Sequence, residues 1–382
     1  MKVHDLLKLI PEETFWELAV ETKVDAEVKK LSGEVMFKLI LFSMLNSDKL
    51  SLRVMETMLK SASFKGFSHF DILDSRYNSL SDRICTINAD YFEKLFHTIF
   101  SIYNRELKEE KALSKTDSTF VGLAAKLFAN GMENCGSAKR FVKYSVNLKG
   151  SIPSSVKVFT DQTHISEEIA LSELINDTDC IEGNIVVFDR GLQSRNSFDK
   201  FTKENKLFVT RANFPIRYNV IKANRVSSAR NNEPVTITSD EIAFLINKKE
   251  KQSQCQYRVI KAIINESGEN ICFVSNIMDE EAYSIAQWYK QRWEIEIFFK
   301  FIKQHLNVKH LVSRNDNGLK VMIYMTMILA TLIIVYKKIN KIKSYKIAKL
   351  MFEIELDNEA IKNIVILCGG NPEKAPQYFN SA

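Results

Sequence analysis

The stretch YKQRWEIEIFFKFIKQHL, residues 289–306, decides how the rest of the chain is read. At about 100° per residue, Tyr289, Arg292, Glu296 and Lys303 fall within an arc of about 60° on a helix. Ile295, Phe299, Ile302 and Leu306 fall on a neighbouring arc, so the segment carries a core face beside a polar stripe. Taken alone, that is an amphipathic helix with solvated charges and an i,i+4 Arg–Glu pair. It becomes a site only if Glu296 has partners elsewhere in the chain. Trp293, beside Arg292, reads as core packing.

The 382-residue chain has room for two or three domains and a sizeable core. With 45% hydrophobic and 26% charged residues it belongs with globular rather than disordered chains. A net charge of +6 tolerates a polyanion without requiring one. The charge is unevenly placed, with ten Lys or Arg against two acids from Arg190 to Arg230, and six Lys without an acid from Lys337 to Lys349. Two such runs flanking the stripe favour a surface for a phosphate backbone. The six cysteines are scattered, without C-x-x-C spacing or paired His, which argues against zinc and against a disulfide framework. The N-terminus has no apolar signal-peptide region. The apolar run VMIYMTMILATLIIVY, residues 321–336, is shorter than the roughly 20 residues a bilayer needs. A buried core helix and a cytoplasmic, nucleoid-associated protein are the expectation.

Residues 1–105 show apolar positions at three- and four-residue spacing, the pattern of an all-α domain. It either binds DNA ends or braces the domain after it. The stretch SLSDRICTINADYFEKLF places Ser and Asp where helix caps belong. From 106 to 213 short strands alternate with helices, which predicts an α/β layered domain, and the apolar NIVVF reads as a strand buried on both faces. Residues 214–268 are β-rich and read as an insertion. Residues 269–340 resume the core with a long helix from Glu280 to about Leu306, and 341–382 form a helical tail ending in a loop.

Asp117 lies inside the first strand pattern and Asp189 ends the NIVVF strand. Strands are poor in Asp, and buried acids are costly unless paired, hydrogen-bonded or coordinated. Together with Glu296 they form a set of three carboxylates that would repel one another at one point unless divalent cations neutralised them. Hard carboxylate oxygens suit Mg²⁺ or Mn²⁺. Two such ions would serve an in-line phosphoryl displacement.

At these residues the chain resembles the IS4-type DDE transposases of bacterial insertion sequences. That family's Y-x2-R-x3-E-x6-K signature is matched by Tyr289, Arg292, Glu296 and Lys303 at every gap. The contexts TDSTF around Asp117 and FDRGL around Asp189, with LFVTRAN and LNVKHLVSRNDNG further on, are similar too. The resemblance covers roughly residues 110–340. It implies an RNase H-like catalytic core of α/β class with a β-rich insertion. It also implies two Mg²⁺ ions, which Mn²⁺ can replace, on Asp117, Asp189 and Glu296. The implied reaction is cut-and-paste transposition of double-stranded DNA, with a hairpin intermediate in the best-understood relatives; separately, a dimer on paired ends joined through the C-terminal tail is the expected assembly. Tyr289, Arg292 and Lys303 would contact phosphates near the cleaved end, an Arg fork and a Lys point charge beside a Tyr hydroxyl. Lys300, Arg190 and Arg211 join that DNA-facing set, although Arg190 reads equally as a turn cap. Some relatives stack a flipped base on a Trp in the insertion; this insertion has none, and Phe214, Tyr218, Phe244 or Tyr257 would have to substitute.

Three other readings stay open from sequence. A plain RNase H-like nuclease would keep the same carboxylates. A domesticated DNA-binding protein would have no need of all three. A carboxylate-pair glycoside hydrolase would ignore metal and leave the Arg–Lys stripe without a use.

Overall fold

The computed structural model describes residues 1–70, 74–107, 113–124, 131–133, 139–177, 184–226, 233–247, 249–306, 308, 311–313 and 315–374. The end of the tail, Arg230 of the first basic run, and Cys135 and Cys180 lie outside them. Helices come first: α1 (Val3–Lys8), α2 (Glu12–Thr22), α3 (Gly33–Leu45), α4 (Leu52–Lys60), α5 (Ala62–Ser68), α6 (Tyr77–Thr86) and α7 (Ala89–Leu107). Strands β1 (Leu113–Ala124), β2 (Met132–Glu133), β3 (Lys139–Lys149) and β4 (Ile152–Phe159) come next, then α8 (Glu167–Asp177), β5 (Ile185–Phe188), α9 (Arg195–Lys203) and β6 (Leu207–Arg211). After them are β7 (Tyr218–Ala223), β8 (Val235–Leu245), β9 (Tyr257–Ile264) and β10 (Asn270–Ser275). Helices α10 (Ala282–Gln291), α11 (Trp293–His305), α12 (Asp316–Ile339) and α13 (Tyr345–Leu367) close the chain.

Two units form. One holds residues 1–108, 121–142 and 299–382; the other holds 109–120 and 143–298.

The first unit is built around α12. Its side chains from Val321 to Tyr336 are buried, and α7, α13, α6, α3 and α1 pack on it. It is long and apolar enough to cross a bilayer, but 94% of its apolar window is buried inside the protein, the core-helix arrangement expected of residues 321–336. Three helices start on serines: Ser32, Ser51 and Ser61 each accept a backbone N–H of the first turn of α3, α4 and α5. The Ser and Asp at 79–82, read as caps, instead lie inside α6, because burial of Leu80 and Ile84 carries that helix back to Tyr77. Glu355 on α13 accepts the Tyr336 hydroxyl at 2.7 Å and the Val3 backbone N–H at 2.8 Å, tying both ends of the described chain to α12.

The second unit is layered. Strand order runs β3-β1-β5-β6-β10-β9-β8-β7, with β4 paired to the free side of the β3 hairpin. β1, β5 and β6 are parallel, while β10 runs antiparallel to both β6 and β9. The strands of the β-rich segment therefore continue the same sheet. Successive residues of β5 point to opposite faces and serve two cores. Val186 and Phe188 join Leu171, Phe198, Phe201, Phe208 and Tyr257 under α8 and α9, whereas Val187 joins Val209, Ile260, Phe273 and Ile285 under α10. Rings in the first cluster pack at 5.0–6.3 Å between centroids. Burying each such side chain contributes about 1.5–3 kcal/mol. The β-rich segment is locked by Asp199 on α9, which accepts from the Gln254 and Cys255 backbone and the Tyr257 hydroxyl, and by the buried Arg258–Asp240 pair.

Candidate functional site

Parallel pairing of β1 with β5 sets the site. The register places Thr116 opposite Phe188, so the next residues, Asp117 and Asp189, emerge side by side. Neighbouring strands lie about 4.8 Å apart, and the carboxyl ends of parallel strands are where α/β sheets bind ligands.

The helix expected from 280 to 306 is two helices joined at Arg292. The Arg292 N–H donates to the Tyr289 carbonyl, and the Ile295 N–H to the Arg292 carbonyl, both at 3.0 Å. These i,i−3 bonds tighten the backbone around Arg292. Its side chain is only 7% exposed and reaches Glu296 at 2.6 Å and Asp117 at 3.8 Å. The Arg292 Nε is buried without an acceptor. Tyr289 donates its hydroxyl to Asp189 Oδ1 at 2.9 Å, and its ring lies against Arg292 and Phe273. Tyr289, Arg292 and Glu296 thus meet Asp117 and Asp189 in one place. A second tie runs from β1 to α11, since the buried Lys115, two residues before Asp117 and on the same face of the strand, pairs with Glu294 at 2.8 Å.

The charges show the strain of so many acids. Burial pushes the Asp117 carboxyl up to about 7; Glu167 and Asp189 add to the rise, and the Ser118 N–H and Arg292 oppose it. Burial also raises Glu167, with Lys143 opposing and Asp189 adding. Burial works against the Arg292 charge, yet its bond to Glu296 and the nearby Tyr289 and Asp189 hold its pKa above the ordinary value. Burial and Asp189 raise Tyr289.

The remaining expected residues are placed differently. Arg190 is exposed beside Asp189, and Arg211 is half-buried at the end of β6. Lys300 is exposed and Lys303 half-buried with its ammonium 6.0 Å from the Phe299 ring; both fall in the first unit. Trp293 is not core packing. It is 61% exposed, because it sits about 160° around the helix from the buried Ile295, next to the exposed Ile297. Sequence reasoning missed Glu167 and Lys143, whose only local signal was an acid pair opening a helix and a Lys within a strand.

Among the described residues no group of three or more His, Cys, Asp or Glu side chains is placed to hold a metal ion. The donor chemistry nevertheless suits a divalent cation. Asp117 and Asp189 are hard oxygen donors side by side, and burial disfavours the charge of Asp117. Glu296 is occupied by Arg292, which supplies the positive charge from within the protein.

Residues 117–332 match the family described as Transposase DDE domain, an interval that begins at Asp117 and contains Asp189 and Glu296. The chain is 28% identical over 278 residues to a putative transposase for insertion sequence element IS4SA of Synechocystis sp., covering 68% of this chain and 75% of that protein. It is 27% identical over 252 residues to a probable transposase for insertion sequence element IS5377 of Geobacillus stearothermophilus, covering 63% and 62%. A solved piggyBac transposase synaptic complex with hairpin DNA is similar at a TM-score of 0.47 and 10% identity, over 95% of this chain and 82% of that one. The chain belongs to the DDE transposase family and is a DNA transposase of the IS4 insertion-sequence type. Divalent metal ions are general to the family's chemistry.

Proposed function

We propose that this chain carries out cut-and-paste transposition through Asp117, Asp189 and Glu296, which hold two Mg²⁺ ions or Mn²⁺ in their place. The observation that carries the reading is the meeting of these three acids through Arg292 and Tyr289, where β1 passes the carboxyl end of β5. Bound there, the ions supply Lewis-acid activation of a water or 3′-hydroxyl and neutralise charge on the phosphate. Tyr289 holds Asp189 in place by its hydroxyl. Arg292 keeps Glu296 and Asp117 from repelling each other. Exposed Arg190 and half-buried Arg211 extend the phosphate-binding surface of this unit, and Lys300 and Lys303 are DNA contacts of the first unit.

The sheet order β4-β3-β1-β5-β6, with β1, β5 and β6 parallel, supports an RNase H-like core extended by the β-rich segment 214–268. In this reading the helical segment 1–105 engages the transposon ends, and two copies act together on paired ends in the cytoplasm. The exposed Ile347, Leu350, Ile354 and Ile361 on α13 support pairing through the C-terminal helix. Gel filtration with and without end DNA tests it; a monomer in both argues against it.

A strand-cleavage assay tests the whole. Labelled duplex from the DNA flanking the gene is incubated with protein and Mg²⁺, Mn²⁺ or EDTA, beside Glu296→Gln. Metal-dependent nicks at a defined repeat boundary, absent in the variant, are expected, with joined or hairpin products following them. Cutting at random positions would favour a plain nuclease, and binding without cutting a DNA-binding protein alone.

A further inference from the structure

Two ties hold the start of α11 on β1, and they use different residues. In the first, Arg292 reaches Asp117 at 3.8 Å and Glu296 at 2.6 Å. Both of those acids belong to the proposed reaction, so this tie is made to the very groups that must engage the substrate. In the second, Lys115 pairs with Glu294 at 2.8 Å, and neither residue takes part in the reaction as read above. Lys115 and Asp117 lie two residues apart on one face of β1. The two ties run in opposite senses: base on the strand to acid on the helix, and acid on the strand to base on the helix.

Lys115 is built into the fold. Its side chain is 3% exposed, and its ammonium also donates to the Gly150 carbonyl. Gly150 turns the chain between β3 and β4 at φ +60°, a conformation that favours glycine, and its own N–H donates to the Leu113 carbonyl at 3.2 Å. One ammonium therefore joins β1, the β3–β4 turn and the first turn of α11. Burying a lysine is costly unless its charge is paired. Replacing such a pair by apolar residues of similar volume is often neutral or stabilising, so stability alone gives no reason for a lysine here. What the pair does supply is a fixed place for Glu294, which lies between Arg292 and Glu296 in the chain, so that holding its backbone holds theirs.

We propose that Lys115, acting through Glu294, is a positioning residue for Arg292 and Glu296: it keeps the first turn of α11 on β1 independently of the acids the reaction engages. This deepens the catalytic reading above and rests on it.

The test separates positioning from folding. The full chain nicks labelled end duplex under single-turnover conditions, giving the rate at saturating duplex and the duplex concentration at half that rate. The proteins are wild type, Lys115→Met/Glu294→Leu, Glu294→Leu, Glu294→Gln and Asp189→Asn, each with its melting temperature from circular dichroism. The double variant removes both charges, so it is expected to melt close to wild type. Its saturated rate should fall about tenfold or more, because a displacement near 1 Å can cost about a hundredfold. The half-saturating concentration should stay within about twofold, the mark of a group that acts on the reacting state rather than on binding. Glu294→Gln keeps an oxygen for the Lys115 N–H and should retain most of the wild-type rate. A folded double variant with the wild-type rate, beside an inactive Asp189→Asn, overturns the positioning role and leaves the catalytic reading standing. A rate that falls only as the melting temperature falls, without rescue by Glu294→Gln, makes the pair structural and overturns the role as well. If the double variant does not fold, Glu294→Leu against Glu294→Gln, at the half-exposed end of the pair, carries the same comparison. A wild-type chain that nicks no duplex overturns both.

Discussion

Asp117→Asn should stabilise the metal-free protein, and should do so more as pH rises. The Asp117 carboxyl is pushed up to about 7 in the folded state, against an ordinary value of 3.8. Between those two values the folded chain holds a proton that the unfolded chain has released, so stability falls as pH increases. By linkage the cost is absent below the ordinary value, about 1.5 kcal/mol at pH 5, and about 4 kcal/mol once pH exceeds 7. Asparagine does not titrate, so the variant escapes this cost. The attraction of Arg292, 3.8 Å away, for the charged carboxylate is already contained in that value of about 7, and the pH trend is what discriminates. A widening of roughly 2.5 kcal/mol from pH 5 to 8 corresponds to roughly 5–10 °C in the melting temperature of a unit this size. The assay is thermal denaturation followed by circular dichroism in EDTA at pH 5, 6, 7 and 8. Adding Mg²⁺ at pH 8 should raise the wild type more than the variant and close the gap. A difference between the two proteins that does not change with pH, or a variant less stable at pH 8, would refute the reasoning.

Three further outcomes are expected from other parts of the structure. Trp293→Ala should leave the melting temperature nearly unchanged, since the indole is 61% exposed, yet weaken binding of end duplex by the roughly 1–3 kcal/mol that base stacking contributes; fluorescence anisotropy with wild-type affinity would exclude a DNA role. Arg258→Ala should cost about 3–5 kcal/mol in urea denaturation, because it leaves Asp240, 4% exposed, without its counter-charge, and a loss under about 1 kcal/mol would contradict that account. Gly318→Ala should lower stability by about 1–3 kcal/mol, since its Cβ would fall 2.3 Å from Ser313 Oγ and 3.0 Å from the Ile84 carbonyl; an unchanged melting curve would show that α12 can shift to make room.

The features readable in advance were those a local pattern encodes. An Asp inside a strand, an Asp closing an apolar run and a Glu on a polar helical stripe each violate a local preference, and those violations mark the acids the sheet brings together. The alternation of β5 between two cores was legible for the same reason: a four-residue apolar run has no polar face to offer. Trp293 was misread although its angle from Ile295 was available, because residue type was weighed ahead of helical position. Other features lay beyond any local pattern. The antiparallel pairing of β10 with β6 makes the β-rich segment an extension of the main sheet, and that pairing is a long-range register fixed by Phe273 opposite Arg211. The inward turn of Arg292 was hidden as well. A stripe of Tyr, Arg, Glu and Lys says which side chains share a face, not what that face meets. Here Tyr289 and Arg292 turn to Asp189, Asp117 and Glu296 instead of solvent, which gives them a task before any DNA arrives: keeping a set of acids together while no cation is present. Glu167 illustrates the same limit. Nothing near it in sequence sets it apart from Glu168, and only its carboxylate's place on the bare Gly191 backbone distinguishes it from its neighbour.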